Sequence, residues 1–238
     1  MKKSILFLLA AVALCGGAAN ANDLSYDTSD PLFMPATRDV LSRTTLSYWD
    51  DVLRLGQTLA YGFNDRLAAG ANVHYQFDFD GDEDGFSSID VGGIYRLATA
   101  NDNSARIISD VILGLKFGGS SHVRTPYYAD STYYAGLRFG RQWAAMTLAA
   151  TIRASWIFDD DRGMSYIDFM PAAYFRLTRD WKIGADFTWR KSTNPYYDQE
   201  WIGGKIVRQY GRTQYIGHVD YEFESGDVQF GGRVNILF

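Results

Sequence analysis

The last stretch of the chain, Asp227 to Phe238, alternates between apolar and polar side chains. Successive side chains of a β-strand point to opposite faces, so one face of this stretch would carry Val228, Phe230, Gly232, Val234, Ile236 and Phe238. The opposite face would be mostly polar, with Gln229, Gly231, Arg233, Asn235 and Leu237. The pattern predicts a strand with one apolar face, either at the edge of a soluble sheet or at the seam of a closed barrel.

The sequence ends on an aromatic residue, with apolar residues two and four places before it: Val234, Ile236 and Phe238. This ending resembles the closing strand of Gram-negative outer-membrane β-barrels, in which it serves as the assembly signal. Arg233 departs from the Gly often found five places before the end in that family. The resemblance implies a location in the cell outer membrane, with the barrel assembly machinery, membrane lipid and lipopolysaccharide as partners.

The beginning of the sequence has the features of a secretory signal peptide. Lys2 and Lys3 form a basic start, an apolar run extends over 5–14, and Ala19-Asn20-Ala21 supplies a small-x-small cleavage site. These features predict a signal peptide over 1–21, and its apolar run is too short for a spanning helix. Cys15 would be removed with it, because Leu14 stands where a lipoprotein signal needs a small residue. The mature chain would then have no cysteine and no disulfide.

Composition narrows the fold class further. Aromatic residues make up 16% of the chain and charged residues 21%, with a formal net charge of −5. There is no basic surface of the kind that nucleic-acid binding requires. After the leader, no segment approaches the roughly 18 uninterrupted apolar residues of a spanning helix. An aromatic-rich and glycine-rich chain with alternating segments leaves a β-sandwich or an outer-membrane barrel.

The region 22–39 is polar, contains Pro31 and Pro35, and shows no periodicity. It is interpreted as a periplasmic lead-in, with insertion into the barrel lumen as the alternative. From Val40 onward, twelve alternating segments are predicted at 40–49, 53–63, 67–79, 87–98, 106–118, 131–140, 143–158, 165–177, 181–191, 201–210, 213–224 and 227–238.

The connections between these segments alternate between short turns and longer polar loops, apart from short ones near Asp50-Asp51 and Ser225-Gly226. Bacterial outer-membrane barrels have short periplasmic turns, longer outer loops and an even strand number. The predicted fold class is therefore all-β: a transmembrane, antiparallel, up-and-down β-barrel of about 12 strands over residues 40–238. The count falls to ten if the two weakest segments, 40–49 and 201–210, are not strands.

Charged residues on the predicted lumen face form two groups. A basic wall lies on the sixth to tenth strands and consists of Arg138, Arg153, Arg176, Lys182, Arg190 and Lys205. An acidic wall on other strands includes Asp78, Asp90, Asp220 and Glu222. Opposed walls of this kind resemble those of general porins, and a basic ladder is similar to channels that pass acidic sugars. The alternative is that the walls neutralise each other and close the lumen, because a twelve-stranded barrel is intermediate in width.

The histidines do not match the motifs of outer-membrane hydrolases. Phospholipases and deacylases of this kind use a His with a Ser two places on, where this chain has Gln76, Arg124 and Asp220. Omptin-like proteases use Asp-x-His, whereas here the order is reversed in His218-Val219-Asp220. The sequence therefore predicts no enzyme and no cofactor, with His218 and Asp220 as a pore-lining pair.

The acidic stretch from Asp80 to Gly85 resembles the start of an EF-hand calcium loop. The twelfth position is Val91, where the motif needs Glu, so an EF-hand is not predicted. Two interpretations stay open for Asp80, Asp82 and Asp84: a solvated outer loop, or loose binding of Ca²⁺ or Mg²⁺ that bridges lipopolysaccharide phosphates.

The leading functional prediction is a small porin-like channel for hydrophilic, and in the narrower form anionic, solutes. The alternatives are a plugged structural or adhesive barrel acting through outer loops, where Tyr127, Tyr128, Tyr196 and Tyr197 lie, and an outer-membrane hydrolase.

Overall fold

The computed structural model describes residues 27–80, 84–102, 106–119, 131–158, 165–193 and 198–238. This part of the chain forms twelve strands: β1 (Val40–Trp49), β2 (Val52–Asn64), β3 (Leu67–Asp78), β4 (Gly85–Ala98), β5 (Ile108–Gly118), β6 (Thr132–Gln142), β7 (Met146–Ile157), β8 (Ser165–Arg176), β9 (Trp181–Ser192), β10 (Gln199–Tyr210), β11 (Thr213–Glu222) and β12 (Val228–Leu237). Among the described residues, no helix is long and apolar enough to cross a membrane. The signal-peptide prediction, 1–21, lies outside the described residues.

The twelve strands close into one antiparallel barrel in which each strand pairs with its neighbours in sequence and β1 pairs with β12. At the seam, the Val40 amide donates to the Phe238 carbonyl at 3.1 Å and the Phe238 amide donates to the Val40 carbonyl at 2.9 Å. The predicted all-β up-and-down barrel is confirmed, including the two segments judged weakest. Closure leaves no strand edge unpaired, which a lipid environment requires because it offers no water to exposed backbone groups.

The two ends of the barrel differ in the length of their connections. At the turn end, where Val40 and Phe238 lie, connections such as 65–66 and 211–212 are short, whereas connections such as 119–131 at the loop end are longer. Two loop-end connections are predicted to be short: Ser225-Gly226 lies in the connection 223–227, and Asp50-Asp51 alone joins β1 to β2, with φ angles of 42° and 60°. Two consecutive left-handed residues form the tight hairpin turn whose twist matches that of the strands, and Asp tolerates this conformation. The predicted alternation of connections is thus observed with exceptions at both ends, because the turn-end connection 99–107 between β4 and β5 is long.

The outer surface of the barrel is mostly apolar, apart from a polar group on β1 and β2 formed by Ser42, Thr44 and Gln57. Outward side chains with large exposed fractions include Leu59 at 55%, Leu113 at 56% and Phe230 at 56%. Exposure of this extent would be unfavourable in water and is the signature of a surface that faces lipid. The strand alternation therefore sends the opposite positions of the same strands into the lumen.

The lumen is filled near the turn end by the chain's own N-terminal segment, defined here as residues 27–39. Its residues Asp27, Thr28, Ser29, Asp30, Leu32 and Met34 are all buried. Two consecutive turns shape it, because the Asp30 amide donates to the Asp27 carbonyl at 2.9 Å and the Phe33 amide to the Asp30 carbonyl at 3.0 Å. The region interpreted as a periplasmic lead-in, 22–39, is described from Asp27 onward. Its part from Asp27 to Pro35 lies inside the barrel, because its polar groups pair with polar lumen side chains, whereas Ala36, Thr37 and Arg38 are exposed.

Candidate lumen site

The six residues of the predicted basic wall all lie on lumen-facing strand positions, at two levels. Arg153 and Arg190 lie in the half nearer the loop end, and the other four, Arg138, Arg176, Lys182 and Lys205, lie in the half nearer the turn end. The wall is therefore two separate clusters with different partners.

Asp168 on β8 organises the cluster nearer the loop end. Its Oδ2 accepts hydrogen bonds from Arg153 Nε at 3.0 Å and Nη2 at 2.7 Å, and its Oδ1 accepts one from Arg190 Nε at 2.6 Å. The Asp168 carboxylate has no exposed surface. The two guanidinium groups also stack on aromatic rings, Arg153 on Tyr134 at 5.3 Å and Arg190 on Tyr166 at 4.1 Å. This arrangement leaves the cluster with one more cation than carboxylates and holds both arginines against the wall.

Asp110 on β5 holds a second pair of arginines, nearer the turn end. Arg96 Nε donates to Asp110 Oδ1 at 2.8 Å, and Arg138 Nε donates to Oδ2 at 2.8 Å. Both arginines also donate to the N-terminal segment, Arg96 Nη2 to the Leu32 carbonyl at 2.7 Å and Arg138 Nη1 to the Pro31 carbonyl at 3.1 Å. These hydrogen bonds therefore hold Pro31 and Leu32 of the N-terminal segment in place within the lumen.

The start of the N-terminal segment is held by its two carboxylates. Asp27 accepts hydrogen bonds from Tyr174 Oη at 2.7 Å and from Arg176 Nε at 3.2 Å, and Asp30 accepts one from Thr147 Oγ1 at 2.5 Å. Arg176 Nη2 also donates to Asp30. The side chains of Asp27, Asp30, Thr147 and Tyr174 are almost fully buried. Arg176, which the sequence assigns to the basic wall, therefore contacts the N-terminal segment.

The four residues of the predicted acidic wall have different kinds of partner. Asp90 lies opposite Lys116 in the β4–β5 register and 3.7 Å from His74 Nδ1, and Asp220 Oδ2 lies 3.8 Å from His218 Nε2. The other two residues of the acidic wall, Asp78 and Glu222, lie at the loop end. Asp78 accepts a hydrogen bond from the Asp80 amide at 3.1 Å. Glu222 accepts hydrogen bonds from the Ser225 amide and from the Ser225 hydroxyl, both at 2.6 Å. In the described lumen, Asp110 and Asp168 pair with arginines on adjacent strands, whereas Arg176 and Lys182 pair with carboxylates of the N-terminal segment. The role of all ten residues in a solute path stays a prediction.

A cavity of about 290 Å³ remains in the half of the lumen nearer the loop end. This loop-end cavity is lined by Arg54, Ser88, Asp90, Lys116, Thr132, Tyr134, Arg153, Ser155, Tyr166, Met170, Thr188 and Arg190. It adjoins a second space of about 390 Å³ that shares Asp90, Tyr134 and Arg153 and extends down to Arg43 and Pro35 of the N-terminal segment. The described part of the lumen therefore contains free space nearer the loop end and is occupied by the N-terminal segment nearer the turn end.

Tyr134 shapes the boundary between these two spaces. Its ring lies flat against the wall over two glycines of neighbouring strands, since a Cβ on Gly114 would lie 2.3 Å from Tyr134 Cζ and one on Gly92 would lie 2.6 Å from its Oη. Only glycine leaves room for a ring at this separation from the backbone. Lumen glycines on adjacent strands are the sequence signal that could have located this aromatic residue.

The predicted metal site falls partly outside the described residues, because Asp82 is not among them. Asp84 Oδ1 accepts a hydrogen bond from the Asp78 amide at 2.8 Å, which ties one carboxylate to the end of β3. In the described ranges, no group of three acidic, His or Cys side chains is placed to hold a metal ion. Binding of a divalent cation by Asp80, Asp82 and Asp84 stays a prediction.

The assembly-signal residues face outward on β12. Val234 lies opposite Thr44 of β1, and Ile236 lies opposite Ser42. Phe238 is 62% exposed, and its backbone closes the seam with Val40. The side chains are accessible from the lipid side, and their role as a signal stays a prediction.

Comparison with known proteins places the fold. No family model matches the chain, and no curated protein sequence matches it. Among solved structures, the KdgM porin in complex with disordered oligogalacturonate has a TM-score of 0.62 at 13% identity, over 83% of this chain and 98% of that one. The NanC porin has a TM-score of 0.62 at 10% identity, over 84% and 98%. An outer-membrane channel from Pseudomonas putida F1 has a TM-score of 0.61 at 12% identity, over 92% and 100%.

At these identities the similarity establishes the fold. The barrel architecture is that of outer-membrane porins and channels, and together with the apolar outer surface it confirms the predicted outer-membrane β-barrel. These neighbours are channels and not enzymes. In this chain, the predicted His218–Asp220 pair lies in the lumen wall, with His218 Nε2 3.8 Å from Asp220 Oδ2.

Proposed function

We propose that the chain forms a small porin-like channel that admits small hydrophilic, anionic solutes from the loop end. The observation that carries the proposal is the charge of the loop-end cavity. Four cationic side chains line it, Arg54, Lys116, Arg153 and Arg190, against the single carboxylate of Asp90. Including the buried Asp168 that Arg153 and Arg190 share, cations still outnumber carboxylates by four to two.

A confined cationic passage raises the local concentration of anions, and rings or ladders of Arg and Lys are the usual basis of anion preference in pores. The hydroxyl groups of Ser88, Thr132, Ser155 and Thr188 offer hydrogen bonds to a hydrophilic solute in the same cavity. The KdgM neighbour, solved with oligogalacturonate, supports a solute of this class. Lipid, lipopolysaccharide and the assembly machinery complete the proposed partners.

The test is a planar-bilayer measurement of reversal potential in a salt gradient. We expect an anion-selective potential that moves toward cations in Lys116→Gln and Arg153→Gln, more strongly at low salt because salt screens the cavity charges. Arg208→Gln is the matched control, since Arg208 faces outward and stacks on Trp181 at 5.2 Å. A potential that responds equally to all three substitutions, or to none, would contradict the proposal.

A second function is favoured by the N-terminal segment, which fills the lumen near the turn end. A barrel closed by this segment would act through its outer loops. The aromatic loop residues of that interpretation, Tyr127, Tyr128, Tyr196 and Tyr197, lie outside the described residues. Complete absence of conductance, with retention of loop-dependent surface binding, would favour this function over the channel.

A further inference from the structure

The structure assigns a dicarboxylate-binding site to the lumen wall near the turn end, which the chain's own Asp27 and Asp30 occupy. The carboxylate site is defined by five barrel side chains, Thr147, Tyr174, Arg176, Lys182 and Gln214. We infer that a small solute with two carboxylates competes for this site, displaces the N-terminal segment and so opens the path. The inference rests on the proposed channel function.

The first step is the completeness of the site around Asp27. Tyr174 Oη donates to its Oδ1 at 2.7 Å and Gln214 Nε2 donates to the same atom at 2.8 Å. Arg176 Nε donates to Oδ2 at 3.2 Å, and Lys182 Nζ lies 3.3 Å from Oδ1. Two cations and two neutral donors from three strands therefore converge on one carboxylate, which is the composition of a receptor for an anion.

The second carboxylate shares a cation with the first. Asp30 binds Arg176 Nη2, and its Oδ2 also accepts from Thr147 Oγ1 at 2.5 Å. The turn between Asp27 and Asp30 brings both carboxylates to one guanidinium. A solute that reproduces these contacts needs two carboxylates a few atoms apart, which a single carboxylate or chloride does not supply.

The third step concerns the charge that the segment would leave behind. Arg176 has 9% of its side chain exposed and Lys182 has 5%, and the ion pairs found for them in the described structure are with Asp27 and Asp30. Removing the counter-ion of a buried cation is strongly unfavourable. Departure of the segment is therefore opposed until another anion replaces its carboxylates, and a ligand that binds only the vacated site shifts the population toward the open state.

The remaining polar contacts of the segment, which include those from Arg96 to the Leu32 carbonyl and from Arg138 to the Pro31 carbonyl, involve no charged group of the segment. Thr28 and Ser29 hydrogen-bond to Gln214, and Lys205 Nζ donates to the Ser29 carbonyl at 3.1 Å. These are uncharged groups or backbone groups of the segment that water can replace once the lumen is open. The two carboxylates are thus the part of the segment that a solute must outcompete.

The experiment records single channels from protein extracted from outer membranes, with succinate compared with chloride and acetate at equal ionic strength. In the wild type, succinate should raise the open probability at least about tenfold, equivalent to about 1.4 kcal/mol. In Asp27→Asn/Asp30→Asn, the open probability should already be high without succinate. The matched control is Asp102→Asn/Asp198→Asn, which removes the exposed carboxylate that pairs with Arg66 and the part-buried carboxylate that pairs with Lys191, neither of which contacts the N-terminal segment.

A reversible cross-link tests movement in a single folded protein. Thr28 Oγ1 lies 3.0 Å from Asn235 Nδ2 on β12, so Thr28→Cys/Asn235→Cys can tether the segment to the wall, with each single substitution as its control. The oxidised double variant should ignore succinate and should respond again after reduction. A succinate response that survives oxidation would overturn the inference. If the disulfide does not form, the Asp27→Asn/Asp30→Asn variant decides, and wild-type open probability there would overturn the inference.

Failure of the two proposals gives different results. Conductance that ignores succinate, oxidation and the loss of Asp27 and Asp30 would overturn the gated site and leave the channel proposal standing. An absence of conductance in every variant, including Asp27→Asn/Asp30→Asn, would overturn the channel and the inference together.

Discussion

At the residue scale, two aspartates determine how the lumen tolerates its arginines. Asp110 and Asp168 have no exposed surface, and each accepts hydrogen bonds from two guanidinium groups. A buried carboxylate is costly unless it is paired and hydrogen-bonded, and a bidentate guanidinium satisfies both needs. Each aspartate therefore depends on its arginines as much as the arginines depend on it.

Asp168→Asn should lower the free energy of unfolding by about 3 kcal/mol, because it leaves Arg153 and Arg190 without their counter-ion. This value lies at the low end of the free energy that breaking a buried ion pair costs, because 30% of the Arg153 side chain is exposed. Urea unfolding of the refolded barrel measures the loss. Asp102→Asn, at an exposed turn, should leave stability unchanged, and an equal loss in both variants would contradict the structural role of Asp168.

The sequence pattern predicted which residues face the lumen but not which of them pair. The period of two assigned Arg153, Asp168 and Arg190 to the inside, because alternation depends only on position along a strand. Pairing depends on the register between strands, which places Asp168 opposite both Arg153 and Arg190. A basic wall facing an acidic one was thus a reasonable prediction from facing alone, and the register adds the local pairs.

At the element scale, strands and N-terminal segment differ in how far the sequence predicts them. The strands repeat one rule over ten or more residues each, and the largest difference between a predicted and an observed strand end is at β7, predicted from residue 143 and observed from Met146. The N-terminal segment has no period, because its conformation is set by contacts with strands around the lumen, among them β1, β4 and β6 to β12. For the same reason, strand alternation does not distinguish Tyr174 and Gln214, which hold the segment, from other lumen residues.

Adjacent residues of β3 give a direct test of facing. Ala71 is exposed between the outward Leu59 and Val91, whereas Asn72 lies inside opposite Asp90. Ala71→Arg should cost about 2–4 kcal/mol of unfolding free energy in a bilayer, as a cation in the middle of the lipid face does. Asn72→Arg should cost far less, since the new guanidinium meets water and a carboxylate. Similar losses at both positions would mean that the inside and outside of β3 are wrongly assigned.

At the scale of the whole molecule, the barrel depends on joining its first and last strands. The β1–β12 seam runs from Leu41 opposite Leu237 to Tyr48 opposite Phe230, and the paired backbone groups of Val40 and Phe238 complete it at the turn end. The N-terminal segment enters the lumen beside this seam, where Asn235 contacts Thr28. The N-terminal segment and β12 therefore shape this part of the lumen together.

The predicted assembly signal can be separated from the stability of the seam. Phe238→Ser keeps both backbone hydrogen bonds with Val40, and the Phe238 side chain is 62% exposed, so refolding in detergent should change little. In cells, the amount of barrel that migrates as folded protein on unheated gels should fall several-fold, because the terminal aromatic side chain would no longer be offered to the assembly machinery. Phe230→Ser is the control, since Phe230 is also outward on β12 and 56% exposed but lies outside the terminal pattern. Equal losses of folded protein in cells for the two variants would show that position 238 has no special role in assembly.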